Sequence, residues 1–234
     1  MRVAPDRRGA ILATVLAMVV ASACGSGSSG PKVDAQTLLR DAKATVDASR
    51  SAHFTLTSHG VSGGGTTITG ADGDIARPDQ LKGSLKVSID GLGATVQVVA
   101  KAGVFEALLP FQSHYSRTNP SNYGLDDPTQ LLDPVHGLSS LLIIAKDPQF
   151  TGQERLGGEL LDEVTATVPG SSIPVLPDAN PSRPVAMVVA IDPRSDQIRQ
   201  MVLTGPFTSA ANNSVFVVTL SKYGEPVTIT LPPT

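Results

Sequence analysis

Apolar and polar side chains alternate along GSLKVSID (83–90), GATVQVVAK (93–101) and GVFEALLP (103–110), with only short Gly-containing breaks between them. A period of two is the signature of a strand with one face buried, and breaks this short leave room only for antiparallel neighbours. The pattern begins earlier, at AHFTLTSHG (52–60), where Phe54 and Leu56 alternate with polar residues. It returns after Gln149 in QFTGQERL, GELLDEVTATVPG, RPVAMVVAIDP, SDQIRQMVLTG, NSVFVVTLSKYG and PVTITL, each of which reads as a strand.

Two segments break the alternation. From Asp34, a good N-cap, AQTLLRDAKATVDASR places Leu38, Leu39, Ala42 and Val46 at helical spacing, which predicts an amphipathic helix in need of a surface to cover. Residues 123–148 carry three Asp-Pro pairs. Asp can cap and Pro suits a first helical turn, so Asp127-Pro128 and Asp133-Pro134 predict two helix starts, the second helix ending near Ala145. Both helices are apolar on more than one side, so they are covered by sheet or they line a space. SSIPVLPDANPSRP (171–184) is too rich in Pro for a full strand and reads as a short helix at Ser171 to Leu176 or as an irregular loop. Two β-rich stretches flank a helical insertion, and one helix precedes both. This is an α+β order, and it predicts a single strongly curved antiparallel sheet that wraps helices on its concave face.

With no Trp, three Tyr and six Phe in 234 residues, the interior must be built from Val, Leu, Ile and Ala. Aliphatic inward positions can leave space that large rings would fill. Alternation nominates as wall Leu85, Val87 and Ile89; Val96 and Val98; Phe105, Ala107 and Leu109; Val164, Ala166 and Val168; and Phe216, Val218 and Leu220. Leu131, Leu132, Leu138, Leu141 and Leu142 of the helical segment would roof them. Each of these positions serves a plain packed core equally well, so the set, rather than any one member, is expected to contain a wall.

The N-terminus has a different character. Arg2, Arg7 and Arg8 form a positive head, and Ala10 to Ala23 form an apolar run shorter than the roughly 20 residues needed to cross a bilayer. Residues 1–23 therefore read as a signal peptide. Ala21-Ser22-Ala23-Cys24 has the form of a bacterial lipobox, in which the single cysteine of the chain takes a diacylglyceryl group and becomes the new N-terminus. The other reading is an ordinary secretory signal that leaves a free thiol. Acyl burial contributes about 0.8 kcal/mol per methylene, so two or three chains give stable attachment to the outer face of the cell membrane. Residues 24–33 follow as a Gly/Ser tether that, extended to Asp34, reaches at most roughly 35 Å. Residues 34–234 are then a single domain.

Several function classes are excluded by what the chain lacks. One cysteine makes no internal disulfide, and no cysteine or histidine cluster supplies a zinc site. Removal of residues 1–23 takes three of the 18 Lys and Arg and one of the 21 Asp and Glu, leaving a net charge of −5 and no basic run for nucleic acid. GVSGGG (60–65) is followed by no Lys-Ser/Thr and reads as a hairpin connection rather than a phosphate cradle. His53, His59, His114 and His136 are scattered and belong to no catalytic motif, and adjacent Asp162 and Glu163 point to opposite faces of a strand. No enzyme activity and no cofactor are expected, and the chain is expected to be a monomer.

The lipobox, the helix followed by SAHFTLTSHG, the segment LLDPVHGLSSLL (131–142) and the closing VTLSKYGEPVTIT (218–230) resemble the mycobacterial LppX/LprAFG lipoproteins through nearly the whole mature chain. The family often carries Trp where Tyr223 stands, and near Val188. The resemblance implies a half-barrel of the LolA/LolB type with helices over its concave side and a large apolar cavity between. It also implies a membrane-anchored carrier of multi-acyl lipids or glycolipids, moved across the cell envelope with a transporter as possible partner. The alternative is an envelope lipoprotein that holds a partner protein and transports no lipid.

Overall fold

In a computed structural model, residues 33–61, 66–123, 125–173, 182–207 and 212–233 are described. The signal peptide, Cys24 and the tether up to Lys32 lie outside the described residues, as do residues 62–65 of the first hairpin connection and 174–181 of the Pro-rich insertion.

Helix α1 spans Ala35–Ala48 and is followed by strands β1 (Ser51–His59), β2 (Thr66–Ala76), β3 (Gln80–Ile89), β4 (Leu92–Lys101), β5 (Val104–Leu108) and β6 (Ser116–Arg117). Two 3-10 segments, Pro120–Tyr123 and Pro128–Leu132, and helix α2 (Ser140–Ile144) lead to β7 (Lys146–Leu156), β8 (Glu159–Pro169), β9 (Pro184–Ile191), β10 (Ile198–Gly205) and β11 (Ser214–Ser221). The strands make one curved, open antiparallel sheet in the order β6-β5-β4-β3-β2-β1-β11-β10-β9-β8-β7.

The order explains the helical insertion. β1 to β6 step outward from the centre in one direction, while β7 to β11 step back from the opposite edge until β11 pairs with β1. Residues 118–145 must therefore travel from one edge of the sheet to the other. Leu131, Leu132, Leu138, Leu141 and Leu142 of this bridging segment are buried in the same cluster as Leu85, Val98, Val164 and Phe216, so the bridge crosses on the apolar face. α1 joins that cluster through Ala35, Leu39, Ala42 and Val46. Asp34 caps it by accepting from the backbone N–H groups of Gln36 and Thr37.

Two expectations need correction, and one strand carries no signal that the sequence reading used. TTITGADGDIA is a full strand, β2, although two glycines and two aspartates break its alternation and its pairing with β3 shifts between Ile68 and Gly70. Asp133-Pro134 starts a turn rather than a helix: Asp133 Oδ1 accepts from the N–H groups of Val135 and His136, and α2 begins only at Ser140. Gly137 is wedged here among the carbonyls of Leu131, Asp133 and Gln130, where a Cβ would lie 2.5–2.6 Å from each oxygen. PVTITL is not a strand, because both neighbours of β11 are already taken and the free edges lie at β6 and β7. Ser51 Oγ donates to the Glu225 carbonyl, and the tail crosses the other face, burying Ile229 against Ala76 and Val99.

Candidate apolar site between sheet and bridge

Across the middle of the sheet, register aligns Phe54, Gly73, Gly83 and Val98 on adjacent strands β1 to β4. Two of the four have no side chain. A Cβ on Gly83 would lie 2.3 Å from the Asp72 carbonyl oxygen, and one on Gly73 would lie 2.6 Å from that of Lys82, so β2 and β3 approach as only glycine permits. The close approach leaves a bare patch in an otherwise aliphatic wall.

An apolar pocket of about 40 Å³ sits over that patch. Phe54, Leu56, Ile68, Ala71, Leu81, Gly83, Ser84, Leu85, Val98 and Val218 form its sheet side, and Leu125, Pro128, Leu131 and Leu138 of the bridge close it. None of these residues is ionisable, so the pocket can do no acid, base or metal chemistry. It can only hold apolar matter. Its volume of about 40 Å³ is far below the roughly 300–1,000 Å³ of a typical ligand pocket.

The bridge is fastened at its C-terminal end by side chains. Lys43 Nζ donates to Asp47 Oδ2 and to the Pro134 carbonyl, both at 2.7 Å, and Ser139 Oγ donates to Asp47 Oδ1, also at 2.7 Å. Arg77, in the β2–β3 connection, donates through Nη2 to the carbonyls of Leu132 and Val46. At the other end, Asp127 caps the 3-10 segment locally, accepting from the Thr129 N–H and hydroxyl. The side-chain ties to other elements thus gather at residues 132–139, while at the start of the bridge the Thr118 N–H donates to the Phe105 carbonyl of β5.

Of the wall positions nominated from sequence, Leu85, Val98, Leu131, Leu138 and Val218 line the pocket. Val87, Val96, Phe105, Ala107, Leu132, Leu141, Leu142, Val164, Ala166, Val168, Phe216 and Leu220 are buried in the surrounding core. Leu109 is half-buried against it, and Ile89 is 45 % exposed at the end of β3. Phe54, Leu56, Ile68, Ala71, Leu81, Leu125 and Pro128 were not nominated. The alternation of Phe54 and Leu56 could have found those two. Ile68 and Ala71 straddle the bulge in β2, where no regular period exists.

The histidines stay apart. His53 Nδ1 is 2.8 Å from Asp74 Oδ1, His114 meets Ser113, and His136, 74 % exposed at its side chain, meets Asp133. Among the described residues no group of three His, Cys, Asp or Glu side chains could hold a metal. Glu163 accepts from the Thr151 hydroxyl, whereas Asp162 is buried and accepts from Gln153, so the two face different surroundings. Tyr223 donates its hydroxyl to the Ile198 carbonyl at 2.7 Å, and burial pushes its pKa up, so it ties the end of β11 to β10 as a neutral phenol.

Comparison with known proteins agrees with this architecture. Two crystal structures share the fold: LprF from Mycobacterium bovis, with a TM-score of 0.71 over 88 % of this chain and 100 % of that one at 19 % identity, and LppX from Mycobacterium tuberculosis, with 0.61 over 84 % and 98 % at 18 %. In sequence, the chain is 32 % identical to the lipoarabinomannan carrier protein LprG of Mycobacterium tuberculosis H37Rv over 97 % of this chain and 96 % of that protein. It is 27 % identical to a putative phthiocerol dimycocerosate transporter, LppX, of Mycobacterium tuberculosis CDC 1551 over 96 % and 99 %. The LppX_LprAFG lipoprotein family matches residues 34–229, and the chain belongs to that family.

Proposed function

We propose that the chain is a cell-envelope lipoprotein, anchored through acylated Cys24 on the outer face of the membrane, that carries multi-acyl lipids or glycolipids. The observation that carries this reading is the almost entirely apolar pocket held between the glycine patch of the sheet and a bridge that ties the sheet's two edges. Full-length similarity to a lipoarabinomannan carrier supports a glycolipid as cargo. In this reading residues 1–23 are removed, residues 24–33 are the tether, and residues 34–234 form one half-barrel domain whose concave face holds the bridge and, when loaded, the cargo.

The volume of about 40 Å³ defines the mechanism. A chain of acyl length does not fit, so loading requires the bridge to lift from the wall at Leu125–Pro128, the stretch between its ties at Thr118 and at residues 132–139. Each methylene leaving the bilayer loses about 0.8 kcal/mol and regains about as much against Leu, Val and Phe. A net change near zero lets cargo enter from one membrane and leave for another. An envelope transporter would supply direction.

A second reading follows from the same small volume: a packed envelope module that binds a partner protein and carries nothing. The test is transfer of a fluorescent diacyl glycolipid between donor and acceptor vesicles. The carrier reading expects transfer that rises with protein concentration. No transfer above the spontaneous rate, with no lipid in an organic extract of the purified chain, would leave the module reading.

A further inference from the structure

The apolar face does not stop where the bridge stops covering it. Along β3, Leu85 lines the pocket, Val87 is 1 % exposed, and Ile89, on the same face, is 45 % exposed. Along β4, Val98 and Val96 are 1 % exposed, Ala94 is half-buried, and Leu92, paired with Ile89 across the hairpin, is 77 % exposed. The four steps from Leu85 to Ile89 span about 13 Å, so a continuous apolar track runs from the pocket to open solvent. Beyond the Gln97–Leu108 pair, at the same end of the sheet, the turn after β5 presents Phe111 with its side chain wholly exposed at 109 %. Phe111 has φ 66°, in the left-handed region that a bulky residue seldom occupies. The Gln112 N–H donates to the Leu109 carbonyl at 3.1 Å and closes a turn with Pro110 and Phe111 at its corners, which holds the exposed ring at its tip.

We infer that Ile89, Leu92 and Phe111 form a lip that dips into the lipid bilayer, so that acyl chains pass between membrane and pocket along the track without crossing water. The occupant follows from the chain itself. An acylated Cys24 on a tether reaching at most roughly 35 Å keeps the domain against a bilayer, and the track is continuous with the space proposed for acyl chains. Neither hairpin tip, Asp90–Gly91 nor Pro110–Phe111, carries Lys or Arg. Docking is therefore by apolar insertion rather than by attraction to anionic lipid. The inference deepens the carrier reading and rests on it for the identity of what travels.

The chain has no Trp, so a single Trp reports its own position. Leu92→Trp, Phe111→Trp and, at the opposite end of β4, Ala102→Trp are each prepared in the full chain and mixed with phosphatidylcholine vesicles containing brominated acyl chains. The lip reading expects a blue shift and strong quenching at positions 92 and 111, little at 102, and the same result at low and high salt. Equal quenching at all three positions, or quenching at none, overturns it. The double variant L92D/F111D, altered only at exposed positions, should slow vesicle-to-vesicle lipid transfer about tenfold while lipid already bound is retained; unchanged transfer overturns the portal. Quenching at the lip in a chain that transfers no lipid would leave docking standing and remove the carrier reading, and transfer without quenching would do the reverse.

Discussion

The two halves of the sheet are written in the same alternating pattern and end differently. On the β8–β11 side, Val164, Val189, Leu203 and Phe216 are 0 % exposed, and Phe207 closes on Phe216 with ring centroids 4.8 Å apart at 72°. On the β1–β4 side, the row Phe54, Gly73, Gly83 and Val98 lacks two side chains, and the bridge rests over it without filling the gap. Aliphatic alternation makes a wall in both halves. What converts one wall into a site is the pair of missing side chains and a cover tied down mainly at one end.

The largest test of that contrast is to truncate a ring in each half. Phe216→Ala should cost about 3–5 kcal/mol, because its surroundings have no slack, and lower Tm by on the order of 10 °C. Phe54→Ala, at the pocket, should cost clearly less and raise the amount of lipid that copurifies. Equal losses in Tm, measured by calorimetry, would mean that the halves are packed alike. Next in size is Gly83→Ala, whose Cβ meets the Asp72 carbonyl and must push β2 from β3; a loss of about 1–3 kcal/mol in urea unfolding is expected.

A smaller effect should follow from Asp47→Ala, which breaks the tie from Ser139 to α1 and removes the carboxylate that holds Lys43 beside the Pro134 carbonyl. The expected cost is about 1 kcal/mol, with faster amide exchange at residues 134–144 and faster lipid exchange. Unchanged exchange would show that these bonds do not hold the cover. The smallest effect belongs to the packed half. The Arg194 N–H, the Ser195 hydroxyl and the Arg199 guanidinium hold the Asp192 carboxyl below its usual range, against a smaller opposing contribution from burial. A depressed carboxylate stabilises the fold above its unfolded pKa and ceases to do so as pH falls through the folded value. Stability of the β9–β10 connection should therefore decline below about pH 4, and in Asp192→Asn that part of the decline should vanish.

Sequence reasoning reached the wall more easily than the space. Leu39, Ala42 and Val46 announce α1 by spacing, and Leu85, Val98 and Val218 announce an inward face by alternation. Neither signal says which inward residues face a gap, since Gly73 and Gly83 contribute by having nothing to alternate. β2 was illegible for the same reason: Gly70, Gly73 and a bulge interrupt the period that strands are read by. PVTITL shows the converse failure. Its alternation is perfect, yet strand pairing depends on a free neighbour, and topology leaves it none.

The account's central claim is that cargo occupies the glycine-floored pocket. It is tested most directly by native mass spectrometry of the wild-type chain beside Ala71→Trp, which places a large ring over Gly83 at the cost of a few degrees in Tm. The account predicts multi-acyl lipid adducts on the wild type and none on the folded variant. Adducts of equal abundance on both, or on neither after incubation with lipid vesicles, would contradict it.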